Sequence, residues 1–362
     1  MLYPTTAVGG GAERVTVLIV NILSELGNDV TLYVSEPLDL GKYLQYYNSA
    51  FKCNMVARQS PQVRVLPRRY QWLLNELYFK NVGAEIVFDL SPTIFPLYVS
   101  NPDVAYFHWL PSDTYLMRRT DRGFGRVIFY PYHAITSCLT KKFFSGTTIK
   151  LTDSKFTQLA LANIGLDSRV VYTPTDLNLW TPEVNTKRNG VVSFSRFSVD
   201  YPPKRQDWVM SIANSQGVDL LLAGSCRSER ERSYLDELRQ AGQRNVQFLV
   251  NAPFCEIRET LWSRKVYLHA SPWDPFPSTV IEAIAAGCLP LVFDGGGVTE
   301  IVPFPQLWFS TIEEGRAKLT RALAGDLDHY LPLLPAHIEK FGIGAFKERL
   351  KQIMVELSSR NL

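Results

Sequence analysis

Short runs of aliphatic residues recur along the chain, and each is followed by a stretch with the spacing of a helix. The first series of these runs lies at 29–35, 85–90, 103–108 and 170–173. A second series begins after residue 188 and lies at 190–195, 218–223, 246–250, 265–269 and 289–293. Buried strands that alternate with helices are typical of parallel sheets, because consecutive parallel strands need a crossover connection. The sequence therefore predicts an α/β protein with two parallel sheets.

The composition agrees with two globular domains, which is also what a length of 362 residues suggests. The 38 Lys and Arg residues outnumber the 35 Asp and Glu residues by only three, so the net charge is +3. This small positive charge argues against a nucleic acid partner. The five cysteines are scattered without a CxxC pair, so we expect a reducing compartment rather than a disulfide framework or a zinc site. The chain has no apolar run long enough to span a membrane and no leader sequence, and we therefore expect a cytoplasmic location.

The domain boundaries are predicted from changes in local composition. Residues 173–189 are rich in proline and polar residues, and we interpret them as a linker. An N-terminal domain at 1–172 and a C-terminal domain at 190–340 would lie on either side, and 341–362 would form an amphipathic closing helix. Only a few residues precede the first glycines, so the first strand is expected to be truncated. On this hypothesis translation begins upstream of Met1, or the chain is a fragment.

Three consecutive glycines, at 9–11, stand between the short first strand and a predicted helix at 12–26. Glycines at a strand-to-helix turn let the backbone approach a phosphate, and the helix N-terminus favours an anion. The spacing is not GxGxxG, so a dinucleotide site is not indicated. Plain turn geometry explains these glycines equally well when they are considered in isolation.

The most specific stretch follows the strand predicted at 265–269. Pro277 is suited to a helix start, and Ser278 and Thr279 behind it can satisfy open backbone N–H groups. Asp274 in the loop and Glu282 about one turn into the helix can both reach the crevice at the carboxyl ends of the strands. Alternatively, Asp274 is a cap and Glu282 is a solvated charge or one that pairs with the helix dipole. A glycosidase pair is disfavoured, since the surroundings indicate a nucleotide-type helix N-terminus.

Two cations and one histidine follow other predicted strands. Arg196 comes just after the strand at 190–195, and Lys204 precedes the next helix, so both can reach the same crevice and bind a diphosphate. The alternative is that they are ordinary surface charges. His108 ends a strand of the first series, where a structural role is the simpler alternative. None of the five histidines has the spacing of an HExxH motif, so no metal is expected.

These motifs occur in one order along the chain, and as a set they resemble the retaining glycosyltransferases of the two-Rossmann (GT-B) architecture, family four, also called glycosyl transferases group 1. The resemblance covers most of the chain, and its most specific part is the carboxylate pair with its PF and EAxAAG surroundings. The segments that carry it are 9–15, 107–109, 151–157, 194–197 with Lys204, 274–276, 282–287 and 294–301.

The resemblance implies two Rossmann-like, doubly wound domains that face each other across a cleft, with the C-terminal helix packing back toward the N-terminal domain. In the C-terminal domain, Glu282 would bind the ribose hydroxyls, Asp274 the donor sugar, and Arg196 with Lys204 the diphosphate. The further donor-binding residues expected there are Ser278 and Thr279.

In the N-terminal domain, the resemblance implies that Gly10 and Gly11 approach the donor phosphates and that His108 lies beside the transferred sugar. The leaving phosphate would help to deprotonate the acceptor, so neither a side-chain nucleophile nor a metal or other cofactor is expected. Two departures from the family pattern concern the residues expected to bind the donor sugar. Asp274 stands where Glu is usual, and Pro277 stands where Gly is usual.

The implied reaction is the transfer of a hexose from a nucleotide-diphosphate sugar to a glycan or lipid-linked acceptor. Mannose is a candidate hexose. The Phe-His-Trp element and the aromatic stretch resemble those of lipid-linked-oligosaccharide mannosyltransferases, but they do not define the substrate. Residues 66–80 and 127–144 mix aromatic and basic side chains, which fits either peripheral contact with an anionic membrane or core helices with solvated charges. Two alternatives stay open: an inactive nucleotide-sugar-binding or scaffold protein, and a nucleotide-sugar epimerase on the same architecture.

Overall fold

The computed structural model describes residues 2–3, 11–34, 56–59, 84–90, 102–108, 138, 140–142, 144–182, 187–199 and 203–360. The described residues form two compact units, one made of 2–172 with 346–360 and the other of 173–345. Gly10, residues 66–80 and most of 127–144 lie outside the described residues, so the predictions made for them are not discussed further as structure.

The first unit contains a seven-stranded sheet in which all described strand pairs are parallel. Its order is β3-β2-β1-β4-β5-β6-β7, so the sequence order reverses beside β1. The two-residue β1 lies centrally, since Leu2 pairs with Tyr33 on one side and with Asp89 on the other. The strands are β1 Leu2–Tyr3, β2 Thr31–Val34, β3 Val56–Gln59, β4 Phe88–Asp89, β5 Val104–Phe107, β6 Ile149–Thr152 and β7 Arg169–Val170.

The helices of the first unit with defined bounds are α1 Gly11–Glu25, α2 Lys155–Ala162 and the C-terminal α10 Ile343–Arg360. The helix α10 packs against this unit through both apolar and charged contacts. The ring of Phe346 stacks 6.4 Å from that of Tyr106, and Arg169 donates two hydrogen bonds to the Glu356 carboxylate. The predicted packing of the C-terminal helix onto the N-terminal domain is therefore confirmed.

The second unit contains a six-stranded parallel sheet with the order β10-β9-β8-β11-β12-β13. The predicted α/β class with two parallel, doubly wound sheets is thus confirmed. The strands are β8 Asn189–Phe194, β9 Leu220–Gly224, β10 Val246–Val250, β11 Arg264–His269, β12 Leu289–Phe293 and β13 Trp308–Phe309. The helices are α3 Gln206–Asn214, α4 Glu229–Ala241, α5 Phe254–Ser263, α6 Ser278–Ala285, α7 Val298–Ile301, α8 Ile312–Ala324 and α9 Leu334–Ile338.

Backbone and side-chain contacts anchor the segment that enters the second unit. Thr175 forms a parallel bridge with Gly342, and a short 3₁₀ turn follows at Leu177–Leu179. Trp180 is buried with its ring 4.9 Å from that of Phe254. The start of the segment predicted as a linker therefore packs onto the second unit, because burying a tryptophan removes a large apolar surface from water.

None of the helices described in either unit combines the length and the apolar character needed to cross a bilayer.

Candidate functional site

The candidate site of the second unit lies where strands β8 and β11 end side by side. These strands pair in parallel, and the chain leaves β8 toward β9 on one side while β11 lies on the other. Such a switch point opens a crevice beyond the carboxyl ends of the strands, because the two connections run to opposite faces. Two loops meet at this crevice, one after β8 and one after β11.

Buried contacts fix the loop after β8. The side-chain amide of Gln206, at the start of α3, donates to Ser195 Oγ at 2.9 Å and to the Arg196 carbonyl at 2.8 Å. Gly224, at the end of β9, approaches the same loop so closely that a Cβ there would lie 1.8 Å from the Ser195 carbonyl oxygen. Only glycine fits at this position, and the backbone after β8 is therefore held in one path.

The two loops are joined by an ion pair. Lys204 Nζ lies 2.5 Å from Asp274 Oδ2, although the residues are 70 positions apart in the sequence. Both side chains are mostly buried, with 16% and 13% of their surface exposed. Burial alone would raise the pKa of the Asp274 carboxyl, but the charges of Lys204 and His269 and hydrogen bonds from Lys204 and the Phe276 backbone outweigh it and hold that pKa below its ordinary value. The site therefore holds an ionised carboxylate.

The loop that carries Asp274 is fixed by the glycine turn after β12. The backbone N–H of Gly297 donates to the Asp274 carbonyl at 2.9 Å. Gly296 has a φ of +76°, and a Cβ on it would lie 2.6 Å from that same carbonyl oxygen. Both the positive φ and the close approach require glycine. The backbone that presents Asp274 is therefore held from outside its own loop.

The helix α6 begins at Ser278 and brings the second predicted carboxylate to the site. Pro277 is its N-cap, and no side chain caps the helix there. The Thr279 side chain hydrogen-bonds to the Tyr267 hydroxyl, which donates to the Phe194 carbonyl at 2.9 Å. Glu282 is buried, with 3% of its surface exposed, so the alternative of a solvated charge is wrong.

Arg196 does not contact the carboxylate that Lys204 binds, but lies near another acidic residue. Its Nε lies 3.6 Å from Glu231 Oε1, and half of its side chain is exposed. Glu231 belongs to a capping box with Ser228 at the start of α4. The structure therefore brings Lys204 to Asp274 and places Arg196 beside the N-terminus of α4.

Sequence reasoning missed two residues on β11, Tyr267 and His269, which alternate onto one face of the strand. His269 is 3% exposed, and its Nε2 has no hydrogen-bond partner among the described residues. Burial lowers the pKa of His269 to about 4, with Asp274 raising and Lys204 lowering it. Their position in the sequence could have identified them, because both residues lie on the strand directly before the most specific motif.

In the first unit, His108 lies just beyond the carboxyl end of β5, where its ring packs 4.1 Å from that of Tyr106. Burial lowers the pKa of His108 to about 3, so its imidazole is neutral at physiological pH. Gly11 is the first residue of α1. Across the described residues, no group of three or more His, Cys, Asp or Glu side chains could hold a metal ion.

Comparison with known proteins supports the resemblance predicted from the sequence. Residues 183–303 match the family model described as glycosyl transferases group 1. The chain is 24% identical over 183 residues to a GDP-Man:Man(3)GlcNAc(2)-PP-Dol alpha-1,2-mannosyltransferase of Xenopus laevis, covering 46% of this chain and 37% of the relative. The Homo sapiens protein of that name is 26% identical over 156 residues, covering 38% and 32%. The chain thus matches about a third of the length of these relatives.

Solved structures share the fold of the whole chain. Sucrose-phosphate synthase from Thermosynechococcus elongatus superposes with a TM-score of 0.73 at 15% identity, covering 99% of this chain and 98% of that one. Anabaena Alr3699/HepE, solved in complex with UDP-glucose, has a TM-score of 0.69 at 14% identity, with 98% of each chain covered. At such identities the likeness concerns the fold, and it confirms the predicted GT-B class.

Proposed function

We propose that the protein is a retaining glycosyltransferase that moves a hexose from a nucleotide-diphosphate sugar to a glycan or lipid-linked acceptor. The observation that carries this proposal is the Lys204–Asp274 pair at the switch point of the second sheet, 2.5 Å apart and mostly buried. The pair lies within the segment that matches the glycosyl transferases group 1 model. A cation and a carboxylate at this position support the proposal, because open α/β sheets bind nucleotides there.

The charges of the second unit suit a nucleotide-diphosphate sugar. Lys204 offers the diphosphate a point charge, and Arg196, half-exposed beside α4, offers a second cation. Glu282 is buried on α6 and would accept hydrogen bonds from the ribose hydroxyls, while Asp274 would accept them from the sugar. Positive charge held in a mostly buried site stabilises the leaving diphosphate as its negative charge grows.

No side-chain nucleophile is required by this proposal. His108, with its pKa lowered to about 3 by burial, is uncharged at neutral pH and would contact the sugar as a neutral hydrogen-bonding group. The leaving phosphate would take the acceptor proton, and the reaction would retain the configuration at the anomeric carbon. No metal or other cofactor is proposed to take part.

GDP-mannose is the donor we propose first. The curated relatives are named as GDP-mannose-dependent mannosyltransferases that act on a dolichol-linked glycan. UDP-glucose is the second candidate, because a protein of similar fold was solved with it. By the same reasoning, a lipid-linked glycan is the acceptor to test first, together with peripheral contact to an anionic membrane.

A thermal-shift panel of GDP, UDP, GDP-mannose and UDP-glucose, each with and without EDTA, tests the donor site. A ligand at a hundred times its Kd should add about 2.7 kcal/mol to the free energy of unfolding. We expect one nucleotide family to raise the Tm equally with and without EDTA, and Lys204→Met to abolish the shift. Lys265→Met is the matched control, since Lys265 pairs with Asp328 elsewhere in the second unit.

Product analysis then separates the alternatives. Incubation with donor and a lipid-linked glycan should yield a product whose new glycosidic bond has the anomeric configuration of the donor. A donor that is bound without turnover would indicate an inactive binding protein, which the Asp274 and Pro277 departures would explain. An epimerised nucleotide sugar would indicate an epimerase, and no Tm shift with any nucleotide would contradict the proposal.

A further inference from the structure

His269 is a buried side chain of the candidate site whose ring is not fully hydrogen-bonded. It is 3% exposed, and Nε2 has no partner among the described residues. A buried ring nitrogen without a hydrogen bond costs free energy, since it has lost water and gained nothing in return. Such a group in a binding site indicates a partner that arrives in another state of the site.

The groups around His269 indicate that this partner is the carboxylate of Asp274. His269 is the last residue of β11, on the same face as Tyr267. Asp274 follows five residues later in the loop after this strand, and Lys204 reaches the same carboxylate from the loop before α3. Asp274 and Lys204 change the pKa of His269 in opposite directions, and the Glu282 charge acts on Tyr267 from α6. The charged groups that act on His269 are therefore the two members of the ion pair.

In the present state the pair satisfies itself and the imidazole is neutral. Lys204 and Asp274 together carry no net charge, so they require nothing from His269. A diphosphate entering the site brings two negative charges close to Lys204. If Lys204 turns to the diphosphate, the Asp274 carboxylate is left mostly buried with no counter-charge, which is unfavourable. His269 can provide this counter-charge when protonated, and it lies only five residues before Asp274 in the sequence.

We propose that His269 is a positioning residue that takes up one proton from solvent and replaces Lys204 as the partner of Asp274 when Lys204 binds the donor diphosphate. The proton is added to the unpartnered imidazole nitrogen, and no covalent bond is made or broken. The net charge of the three side chains and the diphosphate becomes −1 rather than −2. Asp274 stays ionised and oriented toward the donor sugar. This inference rests on the proposed function.

The first test needs no donor. The chain has five histidines, so NMR titration of the imidazole signals is tractable, and His269→Gln identifies the signal of interest. We expect Lys204→Met to raise the pKa of His269 from about 4 by more than one unit, because it removes a cation and leaves Asp274 unpaired. Lys265→Met, which removes a lysine of the same strand, should leave it unchanged. A pKa that stays at about 4 in Lys204→Met would overturn the inference.

The second test measures protons taken up on donor binding. Titration calorimetry with GDP-mannose and with UDP-glucose is run at pH 7 in two buffers of different ionisation enthalpy. We expect wild type to take up a substantial fraction of a proton, His269→Gln to bind within about tenfold of wild type without uptake, and His269→Leu to bind more weakly still. The amide of Gln keeps a hydrogen-bond donor but cannot titrate. The exposed His329 provides the control, and His329→Gln should behave as wild type.

The outcomes distinguish the two proposals. Donor binding with no proton uptake in wild type, or with uptake that persists in His269→Gln, would overturn the role of His269 and leave the donor site intact. Failure of both donors to bind would overturn the proposed function and donor-linked protonation with it. The NMR comparison would then still decide whether Lys204 controls the imidazole.

Discussion

Each unit has a tyrosine and a histidine, two residues apart, at the carboxyl end of a strand. The groups around these two pairs differ. Tyr106 lies on β5 and His108 directly follows the end of that strand, whereas Tyr267 and His269 both lie on β11, with the same spacing of two. Each tyrosine is buried and donates its hydroxyl to a backbone carbonyl, of Val171 at 2.5 Å in the first unit and of Phe194 at 2.9 Å in the second. Burial keeps both imidazoles neutral, since it lowers their pKa values to about 3 and about 4.

What differs is the partner of the buried aspartate whose charge acts on each pair. In the first unit, Asp153 follows β6 and accepts hydrogen bonds from the hydroxyls of Ser154 and Thr157 at 3.2 and 2.7 Å. Those partners are neutral and lie within one helix start. In the second unit, Asp274 is held by a lysine 70 residues away. Local hydroxyls fix a helix terminus, whereas a long, charged side chain on another loop can exchange its partner for a ligand. The second unit therefore holds a charged pair, Lys204 and Asp274, that a ligand can separate.

The largest expected effect concerns turnover. Lys204→Met and Asp274→Asn should each lower kcat/KM by about 10²–10³-fold, the scale of losing one group that stabilises developing charge. Asp153→Asn, which alters the buried aspartate of the first unit, should lower it by less than about tenfold. Steady-state kinetics with the donor found in the thermal-shift panel provide the measurement. Equal losses in both units would break the comparison.

The next effect concerns the stability of the ion pair. Lys204→Met leaves Asp274 mostly buried without its cation, and we expect a loss of about 2–3 kcal/mol in the free energy of unfolding, somewhat less than for a fully buried pair. Adding Asp274→Leu should recover most of it, because the unpaired charge is gone. Lys265→Met should cost less than about 1 kcal/mol, since its partner Asp328 is 44% exposed. Chemical denaturation of wild type and these three variants provides the measurement, and a double variant no better than Lys204→Met would contradict the argument.

A smaller effect is expected from pH. An unfolded histidine has a pKa of about 6.5, whereas burial lowers the pKa of His269 to about 4 in the folded chain. The unfolded state therefore binds more protons between these values, so stability is complete above the higher value and falls as the pH drops toward the lower one. From pH 7 to pH 5 this group should cost about 2 kcal/mol.

Denaturation of His269→Gln at both pH values checks the assignment. The variant should lose less stability on acidification than wild type, by the share of one imidazole. His108→Gln should remove a similar share in the first unit, because burial also lowers that pKa. The exposed His329 offers the control, and His329→Gln should keep the wild-type dependence on pH. An unchanged slope in both His269→Gln and His108→Gln would show that other groups dominate acid destabilisation.

The sequence predicted the parts of the fold that have strong local signals. The aliphatic runs at 190–195 and 265–269 are β8 and β11, because buried parallel strands are apolar on both faces. It did not predict β6, Ile149–Thr152, in which a lysine interrupts a short run, or the two-residue β13, Trp308–Phe309. Strands this short gain their stability from neighbours in the sheet rather than from their own residues.

The candidate site divides in the same way. The sequence predicts Lys204, Asp274 and Glu282 as site residues from their residue types and their places at strand and helix ends, and their roles stay predictions. The ion pair itself was not predicted, because it joins residues 70 positions apart, and neither was the contact of Arg196 with Glu231 at the start of another helix. His269 was missed because its importance depends on burial and on a nitrogen without a partner, which no pattern of single residues encodes.

The smallest expected effect compares the two tyrosines. Tyr106→Phe and Tyr267→Phe each remove one hydroxyl from a buried carbonyl, so each should lower the free energy of unfolding by about 1 kcal/mol. Tyr267 also holds Thr279 at the start of α6, one turn before Glu282. Tyr267→Phe should therefore weaken donor binding a few-fold in calorimetry, whereas Tyr106→Phe should leave the Kd unchanged. An equal change of Kd in both variants would contradict this assignment of the donor contacts to the second unit. The change in binding would then follow the loss of stability, which is the same in both variants.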